Sequence, residues 1–213
     1  MGNRISSDDI QKWLSAWALS RELPLPVKFK SGYKVDVGYE KQKARYVFAE
    51  LNDDFIQLTK TISETWVFLK VCASPEKVLN KISGKWVLQP QGYLMSCTSP
   101  MNIPQTSLPD DYIVEFENYN STHLIKIMTK DRNLASTGRV IILEDVAVYD
   151  RISTEENHKR KGLATYLIAG LEQIAISKNV YKNLLVATEQ GKLLYQSLGW
   201  KVCSFYTSVV IPS

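Results

Sequence analysis

An acidic pair, a short apolar run and a basic run stand close together in the second half of this 213-residue sequence. Glu144 and Asp145 come directly before the apolar residues Val146, Ala147 and Val148. After a polar stretch follows a run that opens an amphipathic segment, namely His158, Lys159, Arg160, Lys161, Gly162, Leu163, Ala164 and Thr165. The first N–H groups of a helix have no internal partner, and the aligned peptide dipoles place partial positive charge there. The order of strand, basic glycine loop and helix therefore predicts a binding site for phosphate groups.

The residue types of the basic loop suit a phosphate ligand. Gly162 allows a ligand to approach the backbone closely, and the small Ala164 leaves room beside it. Lys159, Arg160 and Lys161 add positive charges that suit a pyrophosphate, or a 3′-phosphate on the same ligand. The loop lacks the G-x-x-x-x-G-K-[ST] spacing of a Walker loop and the G-x-G-x-x-G spacing of a dinucleotide fold. A solvated basic turn before an ordinary helix is the alternative interpretation.

Regular elements on both sides would position this loop. Apolar periodicity predicts strands at 140–143, 146–149, 184–187 and 202–210, a polar loop at 151–161, and helices at 162–178 and 191–198. Thr188 is a suitable cap for the second of these helices. The first helix carries its apolar residues at steps of three and four, so we expect one of its faces to pack on a sheet.

The first hundred residues predict a further α/β unit. A helix should begin near Asp8 and end before Pro24, and two more are predicted at 52–61 and 74–81. Strands are predicted at 27–30, 33–37, 45–51, 65–72 and 86–95. Residues 96–111 contain three prolines and almost no periodicity, which is typical of an exposed connector. We therefore expect a first unit at 1–98, a connector at 99–111 and a second unit at 112–213.

Composition narrows the class of protein. The chain has 45% apolar residues, 23% charged residues and a formal net charge of +4, which fits a globular protein and is weakly basic for a nucleic-acid-binding domain. The three cysteines are widely spaced, and the paired acids have no partner histidine at metal-ligand spacing, so neither disulfides nor a metal site is expected. No run approaches the ~20 apolar residues that span a bilayer. We expect a cytoplasmic protein without a membrane or nucleic-acid partner.

The second half of the sequence resembles the GNAT superfamily of acyl-CoA-dependent N-acyltransferases. The family pattern [RQ]-x-x-G-x-[GA] at the start of a long helix is matched by the stretch from Lys159 to Ala164, with lysine where the family usually has arginine or glutamine. About thirty residues later, the stretch from Leu184 to Trp200 matches the family's strand and short helix, with Tyr195 before a Leu-Gly-aromatic end. The resemblance covers roughly residues 112–210 and does not extend to residues 1–100.

The resemblance implies a fold and a mechanism. The fold would be a mixed, mostly antiparallel α/β sheet that splays between two parallel strands, flanked by helices, with an N-terminal α/β extension or half-domain. The pantetheine arm of acetyl-CoA would lie in the notch between residues 146–148 and 184–186. A main-chain N–H of that first strand would stabilise an oxyanion, and Tyr195 would donate a proton to the leaving thiolate. Either Glu144 or Asp145 would face the notch as general base, because neighbouring strand residues point to opposite faces.

Three functions remain open at this level. The first is an N-acetyltransferase that moves an acetyl group from acetyl-CoA to a primary amine of a small molecule or peptide, by direct attack in a ternary complex. The second is a catalytically weak module of the same fold that binds acyl-CoA as a sensor or scaffold. The third is a nucleic-acid-binding domain that uses residues 159–161, although no aromatic residues alternate with that run. A homodimer formed through the last strand is also possible from the sequence.

Overall fold

The computed structural model describes residues 5–212 of the chain. The helices are α1 (Ser7–Leu19), α2 (Asp53–Thr61), α3 (Pro75–Leu79), α4 (Leu163–Ser177) and α5 (Glu189–Ser197). The strands of the first half are β1 (Val27–Phe29), β2 (Gly32–Tyr39), β3 (Gln42–Phe48), β4 (Val67–Val71), β5 (Val87–Leu88) and β6 (Gly92–Cys97). Those of the second half are β7 (Tyr112–Tyr119), β8 (Thr122–Thr129), β9 (Leu134–Leu143), β10 (Val146–Thr154), β11 (Lys182–Thr188) and β12 (Lys201–Val210).

The predicted helices are confirmed to within a few residues, and the strands differ mainly in length. The polar stretch 151–161 was expected to be a loop, but β10 continues to Thr154 because Ser153 and Thr154 pair with β9 beyond a bulge. A short 3₁₀-helix, Glu156–His158, lies within the rest of that stretch, and a turn leads from it to α4. Polar side chains thus extend a strand wherever a neighbour supplies backbone hydrogen bonds.

The strands form a mixed sheet in the order β1-β2-β3-β4-β12-β6-β11-β10-β9-β8-β7, with β5 beside β12. The pairs β3–β4 and β10–β11 are parallel, and the other pairs along this order are antiparallel. Each parallel pair is joined through a helix, α2 in the first half and α4 in the second. The predicted fold class, a mostly antiparallel α/β sheet with helices on its faces, is confirmed.

The two parallel pairs differ in how far their strands stay together. In the first half, β3 and β4 pair from Ala44 and Val67 as far as Phe48 and Val71. In the second half, β10 and β11 pair only at Val146, Ala147 and Val148, opposite Lys182, Asn183 and Leu184. Beyond that point β10 follows β9 and β11 follows β6, so the two strands diverge. The divergence leaves a notch in the sheet, with residues 149–154 along one side.

Strand β12 joins the two halves of the chain into one sheet. Its first part pairs with β6, and its residues Thr207–Val210 pair with β4. Val209 and Val210 also pair with β5, so the end of the strand is held on both sides. The expectation that the end of this strand, from Ser208 to Val210, pairs with a second copy of the chain is therefore wrong, because its backbone groups have partners within the chain.

The stretch 98–111 is mostly exposed, but Met101 anchors it to the second half. It has no regular secondary structure, yet Met101 is 8% exposed and its N–H donates to the buried carboxylate of Glu172 at 2.6 Å. Trp200 Nε1 lies 3.3 Å from the Met101 sulfur. The prolines therefore mark an irregular and largely exposed segment, as the sequence predicts, which one buried methionine ties to the second half.

Helix α1 crosses from the first half onto the strands that form the notch. Ser6 and Asp9 close its N-terminus with reciprocal hydrogen bonds. Its buried face, including Leu14 and Trp17, shares one apolar cluster with residues of β2 and β3 and with residues of β9, β10 and β11. The helix thus belongs to both halves and covers one face of the sheet beside the notch.

Candidate active site

The N-terminus of α4 has free backbone donors and open space in front of it. Gly162 caps the helix with a φ of 77°, and no side chain caps the first turn. The first helical hydrogen bond runs from Tyr166 N to Gly162 O at 3.0 Å, so the N–H groups of Leu163, Ala164 and Thr165 have no helical partner. A Cβ atom added at Gly162 would meet no atom within 4 Å. This end of α4 therefore has the geometry of an anion site.

The basic side chains of the loop have different surroundings. Lys161 Nζ donates to the Tyr112 hydroxyl at 3.2 Å, and that hydroxyl lies 2.9 Å from His158 Nδ1. Lys159 forms an ion pair with Glu156, three residues earlier. Arg160 is exposed. His158 is thus engaged with Tyr112 of β7, which leaves the backbone of α4 and the exposed cations to face a phosphate.

The edge of β10 that faces the notch begins later than the sequence indicated. Val146, Ala147 and Val148 pair with β9 on one side and with β11 on the other. A strand held between two neighbours has no backbone N–H free for a ligand. The open edge lies at residues 149–154, because these continue beside β9 after β11 has diverged. The expected contact of a ligand with residues 146–148 is corrected accordingly.

The acidic pair at the head of β10 lies at the wrong end of the strand for catalysis. Glu144 and Asp145 form the turn between β9 and β10, and their side chains are 68% and 60% exposed. Both bind Lys12 of α1, at 3.1 and 2.6 Å from its Nζ atom. Four steps along the strand, about 13 Å, separate Asp145 from the start of the notch at Tyr149. Neither carboxylate can serve as the general base there.

Tyr195 lies on α5, beside the diverging end of β11. Its side chain is 8% exposed, and its ring meets Trp200 edge-on with centroids 5.6 Å apart. Burial raises the pKa of the phenol above its ordinary value, and the charge of Asp150 raises it further. The hydroxyl therefore holds its proton at neutral pH, as a proton donor must.

A cavity of ≈ 590 Å³ opens between the notch, α1 and the strands of the first half. Its lining includes Asp150 of β10 and the segment from Val186 to Gln190 at the end of β11. The first half and β12 contribute Trp13, Trp17, Arg21, Arg45, Lys70, Gln91, Tyr206 and Ser208. The volume falls in the range of small-molecule sites, and the cavity borders the two strands that form the notch.

Asp150 stands at the open edge of β10 and is held by Ser20 and Arg21, the two residues that follow α1. The two guanidinium nitrogens of Arg21 lie 2.5 and 3.1 Å from the two carboxylate oxygens, a bidentate arrangement. Ser20 Oγ donates to the same carboxylate at 3.1 Å. Arg21 also stacks on the Trp17 ring at 4.4 Å. The end of α1 therefore fixes a carboxylate where the notch meets the cavity.

The charged residues of the cavity were missed by the sequence reasoning. Arg21, Arg45, Lys70 and Asp150 come from four elements far apart in the chain, so no local spacing relates them. One signal was present in the sequence, because Lys70 is the charged residue in the otherwise apolar strand Val67–Val71. Side chains of a strand point alternately to its two faces, so Lys70 lies on the same face as Phe68. A charge within such a run indicates a special role, although it does not reveal its neighbours.

Residues 5–212 contain neither a candidate metal site nor a helix that could span a membrane. There, no three His, Cys, Asp or Glu side chains lie together in a way that could hold a metal ion. None of the helices in that part has the length and apolar character to cross a membrane.

Comparison with known proteins identifies the family of this chain. The model of the acetyltransferase (GNAT) family matches residues 93–200, just over half of the chain. The protein therefore belongs to the GNAT family of acetyltransferases. The match begins in β6 and so includes a strand that precedes the irregular segment 98–111. None of the curated proteins compared with the chain matches it.

Solved structures share the fold over the full length of the chain. A GCN5-related N-acetyltransferase from Kribbella flavida is similar with a TM-score of 0.68 and 14% identity, over 100% of this chain and 97% of that one. A conserved protein of unknown function from Staphylococcus epidermidis gives 0.66 and 12%, over 99% and 98%. A GCN5-related N-acetyltransferase-like protein from Streptococcus suis gives 0.58 and 12%, over 84% and 83%. The first half of the chain is thus part of a known architecture.

Proposed function

We propose that the protein is an N-acetyltransferase that moves an acetyl group from acetyl-CoA to a primary amine by direct attack in a ternary complex. The observation that carries this proposal is the divergence of β10 and β11 beyond Val148 and Leu184, beside the uncapped N-terminus of α4. Acetyl-CoA would supply an activated acetyl thioester. Membership of the GNAT family and a cavity next to the notch support the same reaction.

Different residues of this chain would bind acetyl-CoA and carry out the reaction. The N–H groups of residues 163–165, with the cations Lys159, Arg160 and Lys161, would hold the diphosphate and the 3′-phosphate. The open edge of β10, residues 149–154, offers backbone groups to the pantetheine amides and to the thioester oxygen. The amine would enter from the cavity, lose its ammonium proton to solvent and attack as the free base. Tyr195 would protonate the thiolate, and the proton that the new amide releases would restore the phenol.

Tyr195 would act as the acid that protonates the departing thiolate. Its place on α5 next to Trp200 supports that role, and its phenol is protonated at neutral pH. We expect Tyr195→Phe to bind acetyl-CoA with unchanged affinity and to lower turnover by about 100-fold. Calorimetric titration with acetyl-CoA and thiol release with a panel of primary amines measure the two quantities.

Two matched variants serve as controls for this test. Tyr181→Phe removes a phenol that is 47% exposed at the start of β11, and Glu144→Gln alters the turn that binds Lys12. Both should keep full turnover. Loss of activity in Glu144→Gln would contradict the placement of the reaction at the far end of β10. Acetyl-CoA binding without turnover that depends on Tyr195 would instead indicate a module that only binds acyl-CoA.

A further inference from the structure

The cavity beside the notch holds more positive charge than its own acids neutralise. Its two carboxylates already have partners, Asp150 with Arg21 and Glu189 with Lys192. Arg45 and Lys70 also line the cavity, and among residues 5–212 neither forms an ion pair with a carboxylate. Two cations thus face a confined space without a counter-charge, an arrangement that is costly unless a ligand neutralises it.

Arg45 is held in place by neutral groups only. Its side chain belongs to β3 and is 7% exposed, and its guanidinium stacks 3.4 Å from the centre of the Trp17 ring. With the Gln42 amide oriented to satisfy both groups, its oxygen accepts from Arg45 Nε at 3.1 Å and Nη2 at 2.7 Å. Burial lowers the pKa of Arg45 to about 10, so the group is still charged at neutral pH. A fixed, charged guanidinium is thus presented to the cavity.

Lys70 lies on the neighbouring strand β4 and has one hydrogen-bond acceptor. Its Nζ donates to Ser208 Oγ at 2.8 Å and stands 5.7 Å from the centre of the Tyr206 ring. An ammonium has three N–H donors, so a single neutral acceptor among residues 5–212 leaves two of them without a hydrogen bond. Burial lowers the pKa of Lys70 well below its ordinary value, and the charge of Arg45 lowers it further. The attraction of an anion placed beside it would favour the charged form and so raise this pKa again.

Two unpaired polar atoms complete the lining. The Tyr206 side chain is 4% exposed, and its buried hydroxyl has no hydrogen-bond partner among residues 5–212. Gln91 Oε1 is likewise buried and unpaired in that part of the chain. Native structures rarely leave such atoms unsatisfied unless something binds to them. The hydroxyl can donate to an anion, and the amide oxygen can accept from an amine.

We propose that the amine acceptor carries an anionic group, a carboxylate or a phosphate, and that Arg45, Lys70 and Tyr206 bind that group. The proposal rests on the proposed acetyl transfer and assigns the substrate class of the same cavity. Both anions accept several hydrogen bonds from cationic donors, which is the shared chemistry. With the anion held between β3, β4 and β12, the amine end is left to face Asp150 and the notch.

The pH dependence of anion binding follows from the groups that face Lys70. They come from several elements: Arg21 near α1, Arg45 of β3, Asp150 of β10, Glu189 of α5 and Tyr206 of β12. Of these, Arg21 and Asp150 neutralise each other, and Glu189 is engaged by Lys192. Because a bound anion favours the protonated form of Lys70, the affinity for the anion should fall as the pH rises through the range in which Lys70 loses its proton.

The first experiment tests anion binding without any turnover. Inorganic phosphate is added to the protein saturated with CoA at constant ionic strength, and the shift of the melting midpoint is measured for wild type, Arg45→Met, Lys70→Met and Lys43→Gln. Lys43 is the control because it lies on β3 but pairs with Glu64 outside this cavity. The shift should persist in Lys43→Gln and be lost in the two methionine variants. An equal shift in all four proteins would overturn the proposal.

The second experiment compares matched amines with acetyl-CoA by thiol release. β-Alanine is paired with propylamine, and phosphoethanolamine with ethanolamine, so that each pair tests one kind of anion. At least one anionic amine should show a kcat/KM about tenfold or more above its neutral partner, since hydrogen bonds to charged groups contribute about 1.5–3 kcal/mol. Arg45→Met and Lys70→Met should abolish that preference while keeping affinity for acetyl-CoA.

The outcomes separate this proposal from the proposed reaction. Equal rates for neutral and anionic amines, unaffected by the two variants, would overturn the acceptor class and leave acetyl transfer intact. If no amine is acetylated, the phosphate titration alone decides whether the cavity binds anions. Failure to bind acetyl-CoA counts against the reaction and not against the anion site.

Discussion

At the scale of single residues, the charged side chains of the cavity lower the stability of the fold but favour the binding of an anion. Lys70 and Arg45 occupy positions on β4 and β3 where apolar side chains would pack without desolvating a charge. Replacing buried ions by apolar groups of similar size is often neutral or stabilising. Natural proteins accept such local costs at sites that bind ligands, because the ligand restores the missing interactions. Lys70 is the clearer case, since Ser208 is its one hydrogen-bond acceptor.

Lys70→Met should therefore raise the stability of the protein most strongly at low pH. In the wild type, the folded-state pKa of Lys70 is lowered from 10.5, so the unfolded chain binds more protons between the two values. Stability then rises with pH across that window and reaches its full value above 10.5. The difference in unfolding free energy between variant and wild type should shrink as the pH rises. Urea unfolding at several pH values measures it.

The conservative variant Lys70→Arg provides the control, because arginine keeps a charge at this position over the whole range. Its stability relative to the wild type should fall further as the pH rises. A pH-independent difference for Lys70→Met would show that Lys70 stays charged in the folded protein throughout the range, which the direction of its pKa shift contradicts.

At the scale of elements, the junction between β10 and α4 depends on one backbone conformation. Gly162 has a φ of 77°, in the left-handed region that costs a residue with a Cβ about 1–2 kcal/mol. The space around its Cα is open, so the constraint comes from the backbone and not from crowding. The turn directs the N–H groups of residues 163–165 away from the sheet, where a phosphate would bind.

Gly162→Ala should lower stability by about 1–2 kcal/mol and weaken acetyl-CoA binding, because relaxation of the strained turn would move the α4 donors. Gly84→Ala is the matched control: that glycine is also surrounded by open space but lies outside the left-handed region. Chemical denaturation and calorimetric titration distinguish the two. Unchanged acetyl-CoA affinity in Gly162→Ala would exclude the α4 N-terminus as the phosphate site.

At the scale of the whole molecule, the first and second halves share one core as well as one sheet. Leu14 of α1 is fully buried in the cluster that joins β2 and β3 to β9, β10 and β11. Strand β12 crosses between the halves, and Arg21 binds Asp150 across them. The halves should therefore unfold together, since neither keeps its apolar surface covered alone.

Leu14→Ala should destabilise both halves by the same amount, about 2–5 kcal/mol, through loss of buried surface and a remaining cavity. Four of the five tryptophans lie in the first half, Trp13, Trp17, Trp66 and Trp86, and Trp200 lies in the second. Hydrogen exchange therefore has to resolve the strands of the two halves, and fluorescence reports mainly on the first. The control is Leu25→Ala, because Leu25 is 57% exposed. Separate transitions for the two halves would contradict a shared core.

The sequence by itself determined the elements, the family and the glycine turn that opens α4. Apolar spacing defined α4, the capping residues defined α2 and α5, and the run around Gly162 with Tyr195 sufficed for the GNAT resemblance. These features are local, because a helix or a turn depends on residues a few positions apart.

The tertiary structure decided what the local pattern could not. It placed Glu144 and Asp145 at the wrong end of β10, moved the open edge to residues 149–154, and joined the two halves through β6 and β12. It also brought Arg45 and Lys70 together beside Asp150. Register and strand order depend on partners distant in the chain, and a cavity lined by several elements exists only once those partners have packed.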